Sequence, residues 1–311
     1  MAKMNRREFI RSTAFAAAMP ALVPARERRM LRRQESMPKN IVLGVICSAN
    51  NPEEDLKAVR DLGFRACQLD IDSYSAALAR RLAGSLGAYR IQPVSLICMG
   101  PGTYRWNLSD GPSTIGLVPR ENREARVRRL HEGIDFCKAA GIPAVHAHFG
   151  FIPENPKDIL YTEFIEAMRP VAEYALRHGI DVYFETGQET PVTLLRAIQD
   201  IGTPNLYINY DPANLVMYGK ANPIDGLKVV GKYVRAVHAK DGLYPTTPRE
   251  LGKEVPVPTG EVDFPELLSS LKKLDFKGSI IIERELAGSR SEDIIATREY
   301  LEKLLGDIYK E

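Results

Sequence analysis

The 311 residues carry 42 Lys and Arg against 40 Asp and Glu, a formal charge of +2, with 44% hydrophobic residues and four cysteines. A chain of this length hides about three quarters of its unfolded surface, so it needs no disulfide framework or structural metal to fold. Near-neutral charge gives no electrostatic footprint for a phosphate backbone, which excludes nucleic acid as the leading partner and favours a small molecule.

The chain opens on Asn5-Arg6-Arg7-Glu8-Phe9-Ile10-Arg11, and the 14 residues 12–25 then run small and apolar without a charge. A membrane helix takes about 20 residues. The segment therefore predicts no stable membrane span but the h-region of an export leader. Pro20 and Pro24 oppose an ordinary amphipathic helix. The order Arg-Arg-x-Phe-Ile-Arg resembles the bacterial twin-arginine signal, which implies the twin-arginine export machinery as a partner and a periplasmic destination. Cleavage after Ala25 would remove four basic residues and one acidic one, taking the charge from +2 to −1. Residues 26–39, rich in Arg and without a periodic apolar face, read as a solvated linker. Residues 40–311 read as one domain.

From Ile41 onward short β-branched runs alternate with longer amphipathic ones. Strands are expected at 41–47, 65–71, 93–99, 144–149, 181–186, 206–211, 234–240 and 279–284, each followed by a helix. In 122–140 the apolar set Ala125, Val127, Leu130, Ile134, Phe136 and Cys137 recurs at helical spacing and Gly141 ends it. The segment 159–178, closed by Gly179, behaves alike, with Met168, Val171, Ala172, Ala175 and Leu176 as a core stripe. Prolines 191, 223 and 265 fit first helical turns.

Eight such units predict a parallel sheet with crossover helices, closed as a (β/α)8 TIM barrel. An open dinucleotide fold would carry a glycine fingerprint after its first strand, and Cys47-Ser48-Ala49-Asn50-Asn51-Pro52 has no glycine. The four cysteines lack C-x-x-C spacing and read as small buried residues, although export would permit a disulfide.

Barrel chemistry sits at the C-terminal ends of strands. Glu185, Asp211, His238 and Glu283 close the fifth to eighth expected strands. Three carboxylates and an imidazole ending hydrophobic strands would repel and desolvate one another, a conflict that one divalent cation resolves. The donor set suits Mn²⁺ first, with Mg²⁺, Co²⁺ or Zn²⁺ as alternatives. The competing reading is that each carboxylate caps the next helix or pairs with an Arg.

The runs Phe184-Glu185-Thr186-Gly187, Asp211-Pro212-Ala213-Asn214-Leu215, Val237-His238-Ala239-Lys240-Asp241-Gly242, Gly260-Glu261-Val262-Asp263-Phe264 and Ile281-Ile282-Glu283-Arg284-Glu285 resemble the xylose-isomerase-like barrel superfamily. Within it they are similar to the sugar phosphate isomerase/epimerase group, over roughly residues 41–305. The resemblance implies that Glu185, Asp211, His238 and Glu283 bind one divalent metal, commonly Mn²⁺, and that Glu185 and Glu283 act as an acid/base pair on a carbohydrate. A metal that chelates a carbonyl and the adjacent hydroxyl lets one carboxylate remove the intervening proton and the other return it.

Two departures bear on the substrate. Ketose 3-epimerases of this superfamily hold the sugar with a His three residues after the metal Asp and an Arg six after the metal His; this chain has Asn214 and Tyr244. Endonuclease-type members bind three zinc ions through extra histidines. His146 and His148 share one strand face, but the third strand ends Ile97-Cys98-Met99 without a His, so that role is set aside. His148, Asn214 and Lys240 remain candidate substrate contacts, Lys240 with an alternative role paired to Asp241 or Glu285. The long loop 100–120 adds Tyr104 and the sole tryptophan, Trp106, as an aromatic wall for a sugar. A subunit interface, and with it a homo-oligomer, is the other use of that loop. Loop 243–261 is a second candidate cover. The leading function is a metal-dependent carbohydrate isomerase or epimerase. The alternatives are a metal-dependent lyase or hydratase on 3-keto sugars or inosose-type substrates, and a non-catalytic sugar-binding barrel.

Overall fold

The computed structural model describes Pro38 and residues 40–284 and 290–310; the expected leader and, Pro38 apart, the expected linker lie outside the described residues. Eight parallel strands close into a barrel: β1 (Ile41–Ser48), β2 (Ala66–Asp70), β3 (Gln92–Ile97), β4 (Ala144–Ala147), β5 (Asp181–Glu185), β6 (Leu206–Tyr210), β7 (Val234–Ala239) and β10 (Gly278–Ile282), with β1 paired to both β10 and β2. The strands are Val-, Ile- and Ala-rich because a closed parallel sheet is covered on both faces.

The surrounding helices are α1 (Pro52–Asp61), α2 (Ala76–Tyr89), α3 (Gly111–Thr114), α4 (Arg123–Ala140), α5 (Ile159–His178), α6 (Pro191–Ile201), α7 (Pro212–Met217), α8 (Pro223–Val230), α9 (Phe264–Lys273) and α10 (Arg290–Ile308). Local chemistry sets their ends. Ser75, Asp158, Thr190, Asn222 and Asp263 accept backbone N–H bonds at N-termini, and Gly141, Gly179 and Gly202 supply left-handed C-terminal caps. No helix among the described residues is long and apolar enough to cross a membrane.

Four details differ from the sequence expectation. The third loop contains the short helix α3, and two helices rather than one follow β6. The seventh loop is tied down by an antiparallel hairpin, β8 (Asp241–Leu243) with β9 (Lys253–Val255). Leu176 of the α5 stripe is exposed: eight residues beyond Met168, at 100° per residue, it has rotated to the rim of the buried face. The four cysteines are unpaired as thiols, with Cys47 half-buried and the others buried.

Candidate functional site

The four strand-end residues come together at one mouth of the barrel. Glu185 is the last residue of β5, Asp211 follows β6, His238 lies near the end of β7 and Glu283 follows β10. Short-range chemistry aligns these ends. The Thr186 hydroxyl accepts the Asp211 N–H at 2.8 Å and donates to the Asp211 carbonyl at 2.9 Å, which locks the tip of β5 to that of β6. Asp211 also caps α7, where Pro212 sits in the first turn. Its Oδ1 accepts the Asn214 N–H at 2.8 Å, so the capping role weighed from the sequence is real but occupies only one carboxylate oxygen.

The remaining atoms converge. His238 Nδ1 stands 2.9 Å from Glu283 Oε2, 3.2 Å from Glu185 Oε1 and 3.5 Å from Asp211 Oδ2. The four ligand atoms all lie within 4.8 Å of one another. Neighbouring ligands of an octahedral ion with bonds of about 2.1 Å are separated by about 3 Å. Asp211 Oδ2, His238 Nδ1 and Glu283 Oε2 are buried and make no hydrogen bond despite this proximity. Buried polar atoms are almost always hydrogen-bonded, so three orphans facing one point fit a cation held by Glu185, Asp211, His238 and Glu283.

The electrostatics agree with mutual dependence. Burial would raise the Glu185 carboxyl, yet the charges of His148 and His238 hold it well below the usual carboxylate range. Burial would lower His238, and the Glu283 and Glu185 carboxylates override it and push the imidazole well above its ordinary value. Glu283 is lowered: against burial stand Lys240 and His238. Lys240 Nζ lies 3.3 Å from Glu283 Oε2 and 3.8 Å from Asp211 Oδ2.

Of the two partners weighed for Lys240 in the sequence, Glu285 lies outside the described residues and Asp241 is engaged elsewhere. That carboxylate is occupied by backbone, accepting N–H bonds from Gly242 at 2.9 Å, Gly260 at 2.8 Å and Val262 at 3.1 Å. A Cβ at Gly260 would stand 2.2 Å from Asp241 Oδ1, which is why the run Gly260-Glu261-Val262 begins with glycine. The contact anchors the seventh loop.

The other candidates surround Glu185. His148 Nε2 is 3.3 Å from Glu185 Oε2, and its Nδ1 is 3.1 Å from Gln188 Oε1. Asn214 Nδ2 donates to Glu185 Oε1 at 3.4 Å. Trp106, half exposed, sets its ring against His148 at 4.9 Å between centroids. Tyr104 stacks on Trp106 at 6.0 Å and carries the Arg126 guanidinium over its ring at 4.3 Å. Its hydroxyl bonds the carbonyls of Met99 and Gly100, so Tyr104 supports Trp106.

Several site residues were left without a role in the sequence. His146, noted there only as sharing a strand face with His148, contacts Glu185 Oε2 through Nε2 at 3.0 Å while its Nδ1 meets Ser95 Oγ at 3.1 Å. Gln68 and Asn209 lie beneath His238, and Gln188 beside His148. Their only sequence signal is a polar residue inside or just after an otherwise apolar strand.

Residues 56–304 match the xylose isomerase-like TIM barrel family. The chain belongs to this family. A xylose isomerase domain protein from Planctomyces limnophilus is 32% identical with a TM-score of 0.80, over 86% of this chain and 98% of that one. A putative hydroxypyruvate isomerase from Homo sapiens is 26% identical over 62% of this chain and 72% of its own length. An uncharacterized protein of Methanocaldococcus jannaschii is 26% identical over 58% of this chain, and the match spans 64% of that relative. Two further structures share the fold at 20% identity: a D-tagatose 3-epimerase-like protein (TM-score 0.66, 86% of this chain and 98% of that one) and a Mycobacterium smegmatis barrel in complex with magnesium (TM-score 0.62, 82% and 88%).

Proposed function

We propose that the protein is a divalent-metal-dependent carbohydrate isomerase or epimerase of the sugar phosphate isomerase/epimerase type, with Glu185 and Glu283 as its acid/base pair. The observation that carries this reading is the pair of glutamates facing the same His238 Nδ1 at 3.2 and 2.9 Å, among three buried donor atoms without hydrogen bonds. A divalent ion held by Glu185, Asp211, His238 and Glu283, with Mn²⁺ the first candidate, would supply Lewis-acid polarisation of a hydroxy-carbonyl group.

The protein residues divide the remaining work. Glu185, entering the step as the carboxylate, takes the proton from the carbon beside the carbonyl, and Glu283, entering it as the carboxylic acid, delivers its own proton to the carbon or oxygen that completes the exchange. Asn214 on one Glu185 oxygen and His146 and His148 on the other fix that carboxylate's orientation. Lys240 stabilises the carboxylate that Glu283 becomes once it has given up its proton and places a cation beside the developing oxyanion. Trp106 offers an exposed aromatic face for the C–H surface of a sugar. The D-tagatose 3-epimerase-like and hydroxypyruvate isomerase relatives support a small hydroxy-carbonyl substrate.

A second reading is favoured by Asn214 and Tyr244, an amide and a half-exposed phenol where ketose 3-epimerases grip the sugar with His and Arg. In it, the same proton abstraction is followed by loss of a leaving group from a 3-keto sugar or inosose. The test incubates ion-loaded protein in D₂O with ketoses, 3-keto glycosides and inososes, followed by NMR after quenching. Deuterium incorporation with no group lost supports the isomerase; release of water or an aglycone supports the lyase. No exchange in any member of the panel overturns both and leaves the non-catalytic sugar-binding barrel.

A further inference from the structure

The layer of side chains beneath the four proposed ligands departs from the usual interior of such a barrel, which is filled by bulky branched residues. It contains Gln68 from β2, Ser95 from β3, His146 from β4 and Asn209 from β6, all buried. Burying this many polar groups is costly unless they satisfy one another. Gln68 and Asn209 do so from opposite walls: Gln68 Nε2 donates to Asn209 Oδ1 at 2.9 Å. Both then meet the same ring atom. His238 Nε2 lies 2.7 Å from Gln68 Oε1 and 2.9 Å from Asn209 Nδ2.

We propose that Gln68 and Asn209 are positioning residues for His238, a pair of amides that serves Nε2 whether it carries a proton or a lone pair and so presents Nδ1 to a cation. Gln68 Oε1 can only accept, so it holds Nε2 when that atom is protonated. Asn209 Nδ2 can only donate, so it holds Nε2 when it is bare. A cation on Nδ1 needs the lone pair there and hence the proton on Nε2, the form that depends on Gln68. Asn209 contributes chiefly by holding the Gln68 amide in the accepting orientation. A histidine ligand more often gives its distal N–H to a carboxylate or a backbone carbonyl. A neutral amide fixes the ring without adding a fourth negative charge to a pocket that already has three carboxylates.

The inference rests on the four-ligand reading of the site, and the experiment separates the two. Binding of Mg²⁺ and Mn²⁺ is measured by chelator competition on the wild-type chain and on Gln68→Met, Gln68→Glu and Asn209→Leu, with circular dichroism to verify folding. Long-range ¹H–¹⁵N correlation reports the His238 tautomer in the Mg²⁺ form. Gln68→Met keeps the volume and loses the acceptor, and should weaken binding roughly 10- to 100-fold. Gln68→Glu, which restores an acceptor oxygen, should bind at least as tightly as the wild type, and Asn209→Leu should fall between Gln68→Met and wild type. The wild-type spectrum should show the proton on Nε2.

Wild-type affinity in a folded Gln68→Met, or a proton on Nδ1 in the Mg²⁺ form, overturns the positioning role and leaves the metal centre standing. Failure of the wild-type chain to bind either ion overturns the centre and the inference together. Should Gln68→Met not fold, the Gln68→Glu affinity and the wild-type tautomer decide the matter alone.

Discussion

Glu189 is a buried carboxyl one residue from Gln188, which holds His148. Burial pushes it up to about 8, opposed only in part by its own backbone N–H and by the more distant charges of His148 and Lys220, with Glu154 adding to the rise. Glu189 is thus neutral in the folded chain at pH 7, whereas in the unfolded chain it ionises near the ordinary value of 4.5. Because the folded value is the higher one, the favourable contribution is complete below pH 4.5 and is lost as pH rises toward 8. At about 1.4 kcal/mol per pH unit the loss reaches about 3 kcal/mol at pH 7 and about 5 kcal/mol above pH 8. Glu189→Gln keeps the neutral shape and removes the titration. Denaturant unfolding of both proteins at pH 5, 7 and 8.5 should show a stability difference that widens in favour of the variant by several kcal/mol. Taking the difference cancels the histidines, which titrate in both chains. A difference constant across that range would refute the assignment of Glu189 as a neutral acid.

Four further outcomes are expected. Glu185→Gln and Glu283→Gln should each lower turnover by about 10² to 10⁴, the usual weight of a general acid or base, without changing the circular dichroism spectrum. Adding Mg²⁺ or Mn²⁺ at about 100 times its Kd to chelator-stripped protein should stabilise it by about 2.7 kcal/mol, read as a Tm rise of roughly 5–10 °C. Gly260→Ala should cost about 1–3 kcal/mol, because its Cβ would press on Asp241 Oδ1 at 2.2 Å, and urea unfolding measures it. If residues 1–25 direct twin-arginine export, replacing Arg6 and Arg7 together by Lys should abolish secretion in a periplasmic reporter assay.

The barrel was legible because eight apolar runs alternate with capped amphipathic segments, and a closed parallel sheet leaves few other arrangements. The mouth was legible for a related reason: Glu185, Asp211, His238 and Glu283 are ionisable groups at the ends of strands whose other residues are mainly apolar. The layer below was not. In Ala66–Asp70 and Leu206–Tyr210 the strands are covered on both faces, so a period of two does not reveal whether Gln68 or Asn209 points into the barrel or toward a helix. The hairpin Asp241–Leu243 with Lys253–Val255 escaped because three residues per strand carry no readable period. The loop sequence offered Tyr104 as an aromatic face but could not show that its hydroxyl is bonded to the Met99 and Gly100 carbonyls.

The contrast between those two layers separates a ligand centre from a buried ion-pair cluster. One level down, polar groups meet partners at 2.7–3.1 Å: Gln68 with Asn209, both with His238 Nε2, and Ser95 with His146. The interior of this barrel can therefore satisfy polar atoms that must be hidden. At the mouth, the same packing brings Asp211 Oδ2, His238 Nδ1 and Glu283 Oε2 close together yet unaligned for hydrogen bonding. Their contacts with one another and with Lys240, at 2.9–3.8 Å, are ion pairs without hydrogen bonds, and a buried polar atom without a hydrogen bond costs about 1–3 kcal/mol. Each is fixed from behind: Asp211 by its cap on Asn214, His238 by the two amides, and the Glu283 N–H by the Ala239 carbonyl at 3.4 Å. Orientation imposed from outside is what the proposed four-ligand metal centre would require.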